Sequence, residues 1–244
     1  MFGGDLVMKL IAFDVWGDYA NFRRGYTNTS SLTYPFPSRT NITGLIGAIL
    51  GLPRNSYHDL FGEDNSLIGC RILNPVEKIN YNVNMINTKE GFMLSDINKD
   101  SPRVQVYGEL LKNPKYRIYV GLEDEQLLNK LFNMLREHKC IYTPYFGNST
   151  CICDFRLAYD EIFDVEPLTA SEDGVPVNSI ILKKKDNLIL EPGKRYASIK
   201  NTGFMTSERI VTRWLEYYYL AEPGTLLLKN DTYYTIGGEN IVLY

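Results

Sequence analysis

Three short segments place basic side chains beside aromatic rings, a combination that suits single-stranded RNA. They are Phe22-Arg-Arg-Gly-Tyr26, Lys115-Tyr-Arg-Ile-Tyr119 and Lys194-Arg-Tyr196. Cations neutralise phosphates, and flat rings stack on bases that are not paired in a duplex. Arg and Tyr also populate ordinary protein interfaces. The clusters therefore predict a binding surface, for RNA or for protein.

The residue types that metal binding needs are sparse. The only histidines are His58 and His138, which lie far apart in the sequence. The cysteines, which form no C-x-x-C pair, are Cys70, Cys140, Cys151 and Cys153. We interpret them as reduced packing residues, and we expect no metal and no cofactor. Phosphate-binding, dinucleotide-binding and nucleophile-elbow motifs are also missing from the sequence.

Metal-independent RNA cleavage stays open as an alternative. It needs a base for the 2′-hydroxyl and an acid for the leaving 5′-oxygen, which His, Lys or Tyr can supply. His138-Lys139 is a candidate pair, but its position at the end of a predicted helix also suits the helix dipole. We predict a binding protein rather than an enzyme.

A glycine-notched helix is predicted from the segment Tyr34-Pro-Phe-Pro-Ser-Arg-Thr-Asn-Ile-Thr-Gly-Leu-Ile-Gly-Ala-Ile-Leu-Gly-Leu-Pro53. The prolines hold its approach extended, Ser38, Thr40 or Asn41 caps the first turn, and the helix runs to about residue 52. Each helical glycine costs about 1 kcal/mol against alanine, which suggests that another backbone passes close by. Two readings stay open: tight helix-on-sheet packing, or a helix start that offers backbone N–H groups to a phosphate.

Hydrophobic periodicity predicts alternating strands and helices. We predict strands at residues 9–15, 68–73, 78–85, 116–122 and 151–157, and a second helix at residues 124–138. Residues 87–102 are polar and turn-rich, which predicts a projecting hairpin. This order approximates an α+β, ferredoxin-like βαββαβ plan.

The C-terminal third is predicted to be rich in strands. Residues 179–191 and 225–236 each read as a hairpin, and residues 241–244 as a last strand. Residues 208–220 fit both periods, and we predict a strand because aromatic and β-branched residues dominate. The expected organisation is an added or leader segment at 1–8, a core at 9–158 with an insertion at about 85–105, and a β-rich extension at 159–244.

Charge is unevenly distributed over a chain of net charge −3. Residues 121–174 carry 4 Lys or Arg against 11 Asp or Glu, which marks either a solvated face or a side turned toward protein neighbours. The sequence contains no apolar run of about 18 residues and no secretory signal pattern. We therefore expect a cytoplasmic protein without a membrane partner.

Five stretches in a fixed order resemble a known family. They are Phe13-Asp-Val-Trp-Gly-Asp-Tyr-Ala-Asn-Phe-Arg-Arg-Gly-Tyr-Thr-Asn-Thr-Ser30, Tyr34-Pro-Phe-Pro-Ser-Arg-Thr40, Gly44-Leu-Ile-Gly-Ala-Ile-Leu-Gly51, Gln105-Val-Tyr-Gly-Glu-Leu-Leu-Lys-Asn-Pro-Lys-Tyr-Arg-Ile-Tyr-Val120 and Tyr142-Thr-Pro-Tyr-Phe-Gly-Asn-Ser-Thr-Cys151. The chain resembles the fifth family of CRISPR-associated proteins, closest to its type I-B branch. These subunits cap the 5′ handle of CRISPR RNA (crRNA) in the Cascade surveillance complex.

The resemblance implies a ferredoxin-like (RRM-like) core with an inserted β-hairpin thumb. It implies three partners: the crRNA 5′ handle, a Cascade backbone subunit and the large subunit. The thumb would fold over a nucleotide between this subunit and the first backbone subunit. In the type I-C branch the subunit cuts precursor crRNA, which is the enzyme alternative.

The resemblance also suggests which residues bind RNA. Phosphates would meet Arg23, Arg24 and Arg39, hydroxyls would come from Thr40 and Thr43, stacking rings from Tyr26, Tyr145 or Phe146, and further contacts from Arg103, Lys115 and Arg117. Two alternatives stay open. Arg39 pairs instead with Asp14 or Asp18, and Tyr145-Phe-Gly147 forms a core turn.

Overall fold

The computed structural model describes residues 8–25, 30–86 and 103–244, which are mainly β-structure. Its helices are α1 (Arg39–Leu50) and α2 (Glu125–Arg136). Its strands in the first part of the chain are β1 (Met8–Trp16), β2 (Tyr19–Ala20), β3 (Ser30–Ser31), β4 (Ser66–Ile72), β5 (Glu77–Ile86), β6 (Arg103–Lys112), β7 (Lys115–Leu122), β8 (Asp154–Leu157) and β9 (Phe163–Val165). The later strands are β10 (Leu168–Thr169), β11 (Val175–Val177), β12 (Ile181–Leu182), β13 (Leu188–Ile189), β14 (Tyr196–Met205), β15 (Val211–Leu220), β16 (Leu226–Leu228), β17 (Thr232–Ile236) and β18 (Glu239–Ile241).

β1 lies in the middle of an antiparallel sheet of order β4–β7–β1–β8. β9 pairs with the first residues of β1 on the same edge as β8. Side chains alternate between the two faces of a strand, and both faces of β1 are covered. Ile11, Phe13 and Val15 belong to the main core, whereas Leu10 and Ala12 pack in a second core on the other face. This double burial explains the near-continuous apolar sequence of the strand.

α1 begins and ends where local sequence signals predict. Ser38 is its N-cap, and a capping box joins Ser38 to Asn41. Ser38 Oγ accepts from Asn41 N at 3.1 Å, while Asn41 Oδ1 accepts from Ser38 N at 3.2 Å. Gly51 ends the helix in the left-handed region, with φ 75°. The close neighbour of Gly44 and Gly47 is the ring of Tyr57, not the backbone that we predicted.

α2 is amphipathic, and its apolar side packs on the same face of the sheet as α1. Its buried residues are Leu128, Leu131, Phe132 and Leu135. Asp124 caps its start by accepting from Leu127 N at 3.0 Å. Glu125 in the first turn and Arg136 in the last turn have the signs that the helix dipole favours.

The C-terminal third wraps around both faces of this sheet. β14 and β15 form an antiparallel pair that packs near α1 and contributes Leu215 and Tyr217 to the main core. β17 and β18 contribute Ile236 and Ile241 to the second core. The strand predicted over 208–220 is confirmed as β15. The final strand ends earlier than predicted, at Ile241, since β18 is Glu239–Ile241.

Two predicted C-terminal hairpins are wrong. β12 pairs with β15 and β13 with β16, so these neighbouring strands do not pair with each other. β16 likewise pairs with β11 and β13, while β17 pairs with β10 and β18. Each apolar run was located correctly, but its partner lies elsewhere in the chain.

Arg39 is the polar centre of the main core. It is 2% exposed, although it occupies the first turn of α1. Its guanidinium donates to Phe61 O at 2.6 Å, to Ser66 O at 3.0 Å and to Tyr244 O at 3.3 Å. A fourth bond reaches Ser66 Oγ at 2.7 Å, and the ring of Phe204 lies 4.1 Å from the guanidinium carbon. Burial lowers the pKa of Arg39 to about 10, so the side chain stays charged at neutral pH.

A charged cluster fastens β18 to the other sheet face. Glu239 accepts from Arg71, from Arg117 Nη1 at 2.8 Å and from Tyr119 Oη. Arg117 also holds Asp14 in a bidentate pair, with Nε to Oδ1 at 2.7 Å and Nη2 to Oδ2 at 3.1 Å. Burial disfavours the charge of Arg117, but its bond to Asp14 and the attraction of both carboxylates raise its pKa overall.

Replacing Arg39 should lower the free energy of unfolding more than replacing any surface arginine does. We expect Arg39→Ala to lower the free energy of unfolding by about 3 kcal/mol, because buried acceptors lose their donor. Urea denaturation followed by circular dichroism measures this. Arg54→Ala, at an exposed position after α1, is the control and should change stability by less than about 0.5 kcal/mol. Equal effects of the two substitutions would contradict the assigned role of Arg39.

One of the four cysteines should react with thiol reagents much faster than the other three. Cys140 is exposed, whereas Cys70, Cys151 and Cys153 are buried. Burial raises the pKa of the Cys153 thiol to about 12, and it also raises that of Cys151. We expect a thiol-specific disulfide reagent to label a single thiol rapidly in the folded protein and all four after denaturation. Rapid labelling of two or more thiols would show that this packing is wrong.

Candidate nucleic-acid interface

A second sheet joins the polar arm of residues 17–37 to the strands that flank the predicted hairpin. β5 pairs with β6 along its full length, from Glu77 opposite Lys112 to Ile86 opposite Arg103. β2 and β3 pair with other parts of β6. The hairpin tip predicted at residues 87–102 lies outside the described residues. The two strands that lead to it are confirmed as an antiparallel pair.

The register gives this pair of strands one mainly polar face and one mainly apolar face. Directly opposed residues share a face in an antiparallel pair. One face carries Lys78, Asn80, Asn82, Asn84, Ile86, Arg103, Gln105, Tyr107, Glu109 and Leu111, and the other carries Glu77, Ile79, Tyr81, Val83, Met85, Val104, Val106, Gly108, Leu110 and Lys112. Tyr107 is 57% exposed, and its hydroxyl donates to Gln105 Oε1 at 3.1 Å. Amides, a ring and a cation on one surface suit contacts to single-stranded nucleic acid. We call this surface the polar hairpin face.

Basic residues of the arm lie at the base of the same sheet. Arg24 Nε donates to Thr33 O at 3.2 Å, and Lys78 Nζ donates to the same oxygen at 3.0 Å. Glu109 accepts from Lys78 at 2.9 Å and from Thr33 N at 3.1 Å. Burial opposes ionisation of Glu109, but these bonds lower its pKa overall. Arg23, in an isolated bridge with Thr33, is exposed. The network fixes the arm against β6.

A cleft of about 280 Å³ opens beside the outward stripe of α1. We call it the α1 cleft. Its lining residues are Thr40, Asn41, Gly44, Leu45, Ala48, Tyr57, His58, Tyr145, Gly147, Met205 and Arg209. The helix supplies the floor, and three separate segments of the chain supply the walls. Two predicted site residues, Thr40 and Tyr145, meet here.

Tyr145 reaches the α1 cleft because its neighbours are buried. Phe146 is 1% exposed and contacts Phe22 and Tyr116 edge-on, while Tyr145 is 47% exposed. Phe146 N donates to Cys151 O at 2.8 Å, and Phe146 O accepts from Asn21 N at 3.1 Å. This alternation fixes Phe146 inward and Tyr145 outward. Phe146 is therefore a core residue, in agreement with the core-turn alternative and against its predicted role in stacking.

Two other residues that we predicted to contact RNA are buried, so these predictions are wrong. Arg39 faces the core, so it cannot meet a phosphate on this surface, and it pairs with neither Asp14 nor Asp18. Thr43 is 3% exposed, and its hydroxyl donates within α1 to Thr40 O at 3.1 Å. Their positions near a helix start are correct, but their side chains point inward.

Lys115 and Arg117 lie apart from the α1 cleft. Arg117 is committed to Asp14 and Glu239 in the charged cluster. Lys115 is half-buried at the start of β7, with its ammonium 5.8 Å from the centre of the Trp16 ring. Arg103 lies exposed at the far end of the polar hairpin face. Tyr26 lies outside the described residues.

The sequence did not point to Tyr57, His58, Asn41 or Arg209 as members of one site. Nε2 of His58 is buried without a hydrogen-bond partner, and the ring lies 4.8 Å from that of Tyr57. Burial, followed by the nearby charge of Arg209, lowers the pKa of His58. Arg209 has φ 65° at the turn between β14 and β15. The glycine spacing of α1 predicted a close neighbouring backbone and indicated none of the residues that line the cleft.

Comparison with known proteins decides the family. Residues 10–211 match the family described as CRISPR-associated protein (Cas_Cas5). The chain belongs to this family. A search of curated protein sequences found no significant match. Among the described residues, no metal-binding cluster of His, Cys, Asp or Glu occurs, and no helix is both long and apolar enough to cross a bilayer.

Solved structures share the fold of this family member. A CRISPR protein from Archaeoglobus fulgidus superposes with a TM-score of 0.54 at 17% identity, covering 97% of this chain and 98% of that one. A chain of a CRISPR RNA-guided surveillance complex gives 0.57 at 15% identity, covering 89% and 91%. A chain of a type III-B Cmr-beta complex bound to target RNA and AMPPnP gives 0.50 at 10% identity, covering 89% and 86%.

Gly147 should be required to present Tyr145. It has φ 76°, and a Cβ added there would lie 2.2 Å from Asn21 O. We expect Gly147→Ala to lower the free energy of unfolding by about 2 kcal/mol or more, because it adds a backbone clash to left-handed strain. Thermal denaturation measures the loss.

Gly193→Ala is the matched control for this prediction. Gly193 has φ 82°, but nothing lies within 4 Å of an added Cβ. Its substitution should cost only the strain, about 1 kcal/mol. Equal losses at both positions would mean that Asn21 does not restrict the turn.

Proposed function

We propose that the chain is the non-catalytic RNA-binding subunit of a type I CRISPR interference (Cascade) complex. It binds the 5′ handle of crRNA and anchors a backbone subunit and the large subunit, in the cytoplasm. The type I-B branch is the one that the sequence resembles. The observation that carries the proposal is the match to the CRISPR-associated family over residues 10–211.

The proposed core is ferredoxin-like. Its support is the order strand, helix, strand, strand, helix, strand formed by β1, α1, β4, β7, α2 and β8. Every pairing among those strands is antiparallel, and β1 lies between β7 and β8. In the sequence, β5 and β6 are inserted between β4 and β7, and they form the proposed thumb.

RNA would have to use a surface other than the one favoured by RRM domains. Those domains stack bases on aromatic residues of the open sheet face. The corresponding face carries Tyr119, which is fully buried under β18 and donates to Glu239. The available surfaces are the polar hairpin face and the α1 cleft. Arg23, Arg24, Arg103, Thr40 and Tyr145 are the predicted contacts that this proposal retains, with Lys115 at the base of the arm.

A second candidate function is metal-independent cleavage of precursor crRNA. The observation that favours it is the position of His58 and Tyr57 beside Arg209 in one cleft. The earlier candidate, His138, is instead paired with Asp154 at 3.1 Å and stacked on Phe155. Cleavage would require His58 to exchange a proton with the RNA.

One assay separates the two functions. The purified chain is incubated in EDTA with labelled repeat RNA, and the same samples are scored for retention and cleavage. Retention without cleavage supports the capping subunit. Site-specific cleavage that is lost in His58→Ala would make the chain a processing enzyme.

Arg103→Ala should weaken RNA binding in a salt-dependent way. The side chain is exposed on the polar hairpin face. Loss of one phosphate contact should reduce the slope of log affinity against log salt by about 0.7. Fluorescence anisotropy at several salt concentrations measures it. Arg136→Ala, on the solvent side of α2, should leave the slope unchanged. An unaltered slope in Arg103→Ala would remove that residue from the interface.

A further inference from the structure

The α1 cleft has aromatic rings on two sides of a floor with little side-chain bulk. Tyr57 packs over Gly44 and Gly47, since a Cβ at Gly47 would lie 3.2 Å from its ring. Tyr145 lies beside Asn41 and Leu45, with which it also lines a smaller adjoining cavity. Around the helix axis, Gly44 and Gly47 lie on one side of Ala48, and Asn41 and Leu45 lie on the other. The two rings therefore stand on opposite sides of the floor.

The polar groups of the cleft have unused hydrogen-bonding capacity. Arg209 Nε donates to Asn55 Oδ1 at 3.0 Å, and its two terminal nitrogens have no partner among the described residues. Nε2 of His58 is likewise unpartnered. Asn41 uses its carbonyl oxygen in the capping box, and its NH₂ group has no hydrogen-bond partner among the described residues. Among the described residues that line the cleft, none is acidic.

This combination fits a planar ligand that carries an anion. A guanidinium with two free nitrogens suits a phosphate oxygen pair. A neutral imidazole and an amide suit the edge of a base, and a tyrosine ring suits its face. At about 280 Å³ the cleft is at the small end of ligand sites, so it has room for one nucleotide and not for a stretch of chain.

We propose that the α1 cleft captures a single nucleotide of the bound RNA. Its base stacks on Tyr145 with its edge toward His58 and Asn41, and its phosphate meets Arg209. This proposal rests on the proposed function, since it assigns one unpaired nucleotide of the same RNA to a particular site. The polar hairpin face would hold a different part of the strand.

Position-resolved fluorescence tests the site. Repeat RNAs carrying 2-aminopurine at successive single positions are titrated with the full chain in EDTA. We expect one position whose strong quenching depends on Tyr145, because stacking on that ring would affect one base. Tyr145→Leu should abolish that quenching, and Arg209→Ala should weaken RNA affinity about 10-fold. Arg54→Ala, exposed outside the cleft lining, should change neither.

A cleft-filling variant distinguishes loss of the site from loss of the fold. A Cβ at Gly44 would meet only the Tyr57 hydroxyl, at 3.4 Å, which is ordinary contact. Leucine is also a far better helix former than glycine. Gly44→Leu should therefore keep or raise the melting temperature while it abolishes the position-specific quenching.

The outcomes separate this proposal from the function on which it rests. RNA binding without quenching at any position, or with quenching unchanged in Tyr145→Leu and Gly44→Leu, overturns the nucleotide site and leaves the proposed function intact. Failure of the wild-type chain to bind RNA overturns both. Binding of 5′-AMP that depends on Arg209 and Tyr145, without RNA binding, would assign the cleft to a free mononucleotide and overturn the proposal.

Discussion

A buried arginine that is hydrogen-bonded to three distant segments constrains the rest of this structure. The Arg39 guanidinium is held by backbone oxygens of Phe61, Ser66 and Tyr244, which belong to the loop after α1, to β4 and to the end of the chain. A buried charge is tolerated only when its hydrogen bonds are satisfied. The start of α1 is therefore tied to three distant segments. Since α1 forms the floor of the α1 cleft, these same bonds fix the position of the cleft.

The other face of the sheet is closed by a comparable device. Glu239 accepts hydrogen bonds from Arg71, Arg117 and Tyr119. β18 therefore covers a surface that would otherwise expose rings and cations. Once both sheet faces are covered, side chains for binding must come from the edges and from the connecting segments. The polar hairpin face, the arm and the α1 cleft are all of this kind. Loops on a rigid scaffold are where binding residues usually lie.

Local signals predicted local structure well. Pro35, Pro37, Ser38 and Gly51 indicated the bounds of α1 closely, and aromatic content indicated β15. Pairing and burial depended on contacts that no short window contains. Arg39 sits at a polar helix start and reads as a surface residue, yet one of its acceptors is 205 positions away. The adjacent runs of β12 and β13 suggested a hairpin, but β13 pairs with β16. Four separate segments line the α1 cleft. Of its lining residues, the sequence predicted only Tyr145 and Thr40 as binding residues.

Under the proposed function, RNA follows the polar hairpin face and the α1 cleft and avoids the covered sheet face. Ultraviolet crosslinking of the full chain to repeat RNA, with the adducts located by mass spectrometry, distinguishes these surfaces. We expect adducts at Tyr107 and Tyr145, which are 57% and 47% exposed, and none at the fully buried Tyr119. Adducts confined to α2 or to the β17–β18 surface, with neither exposed tyrosine labelled, would contradict it.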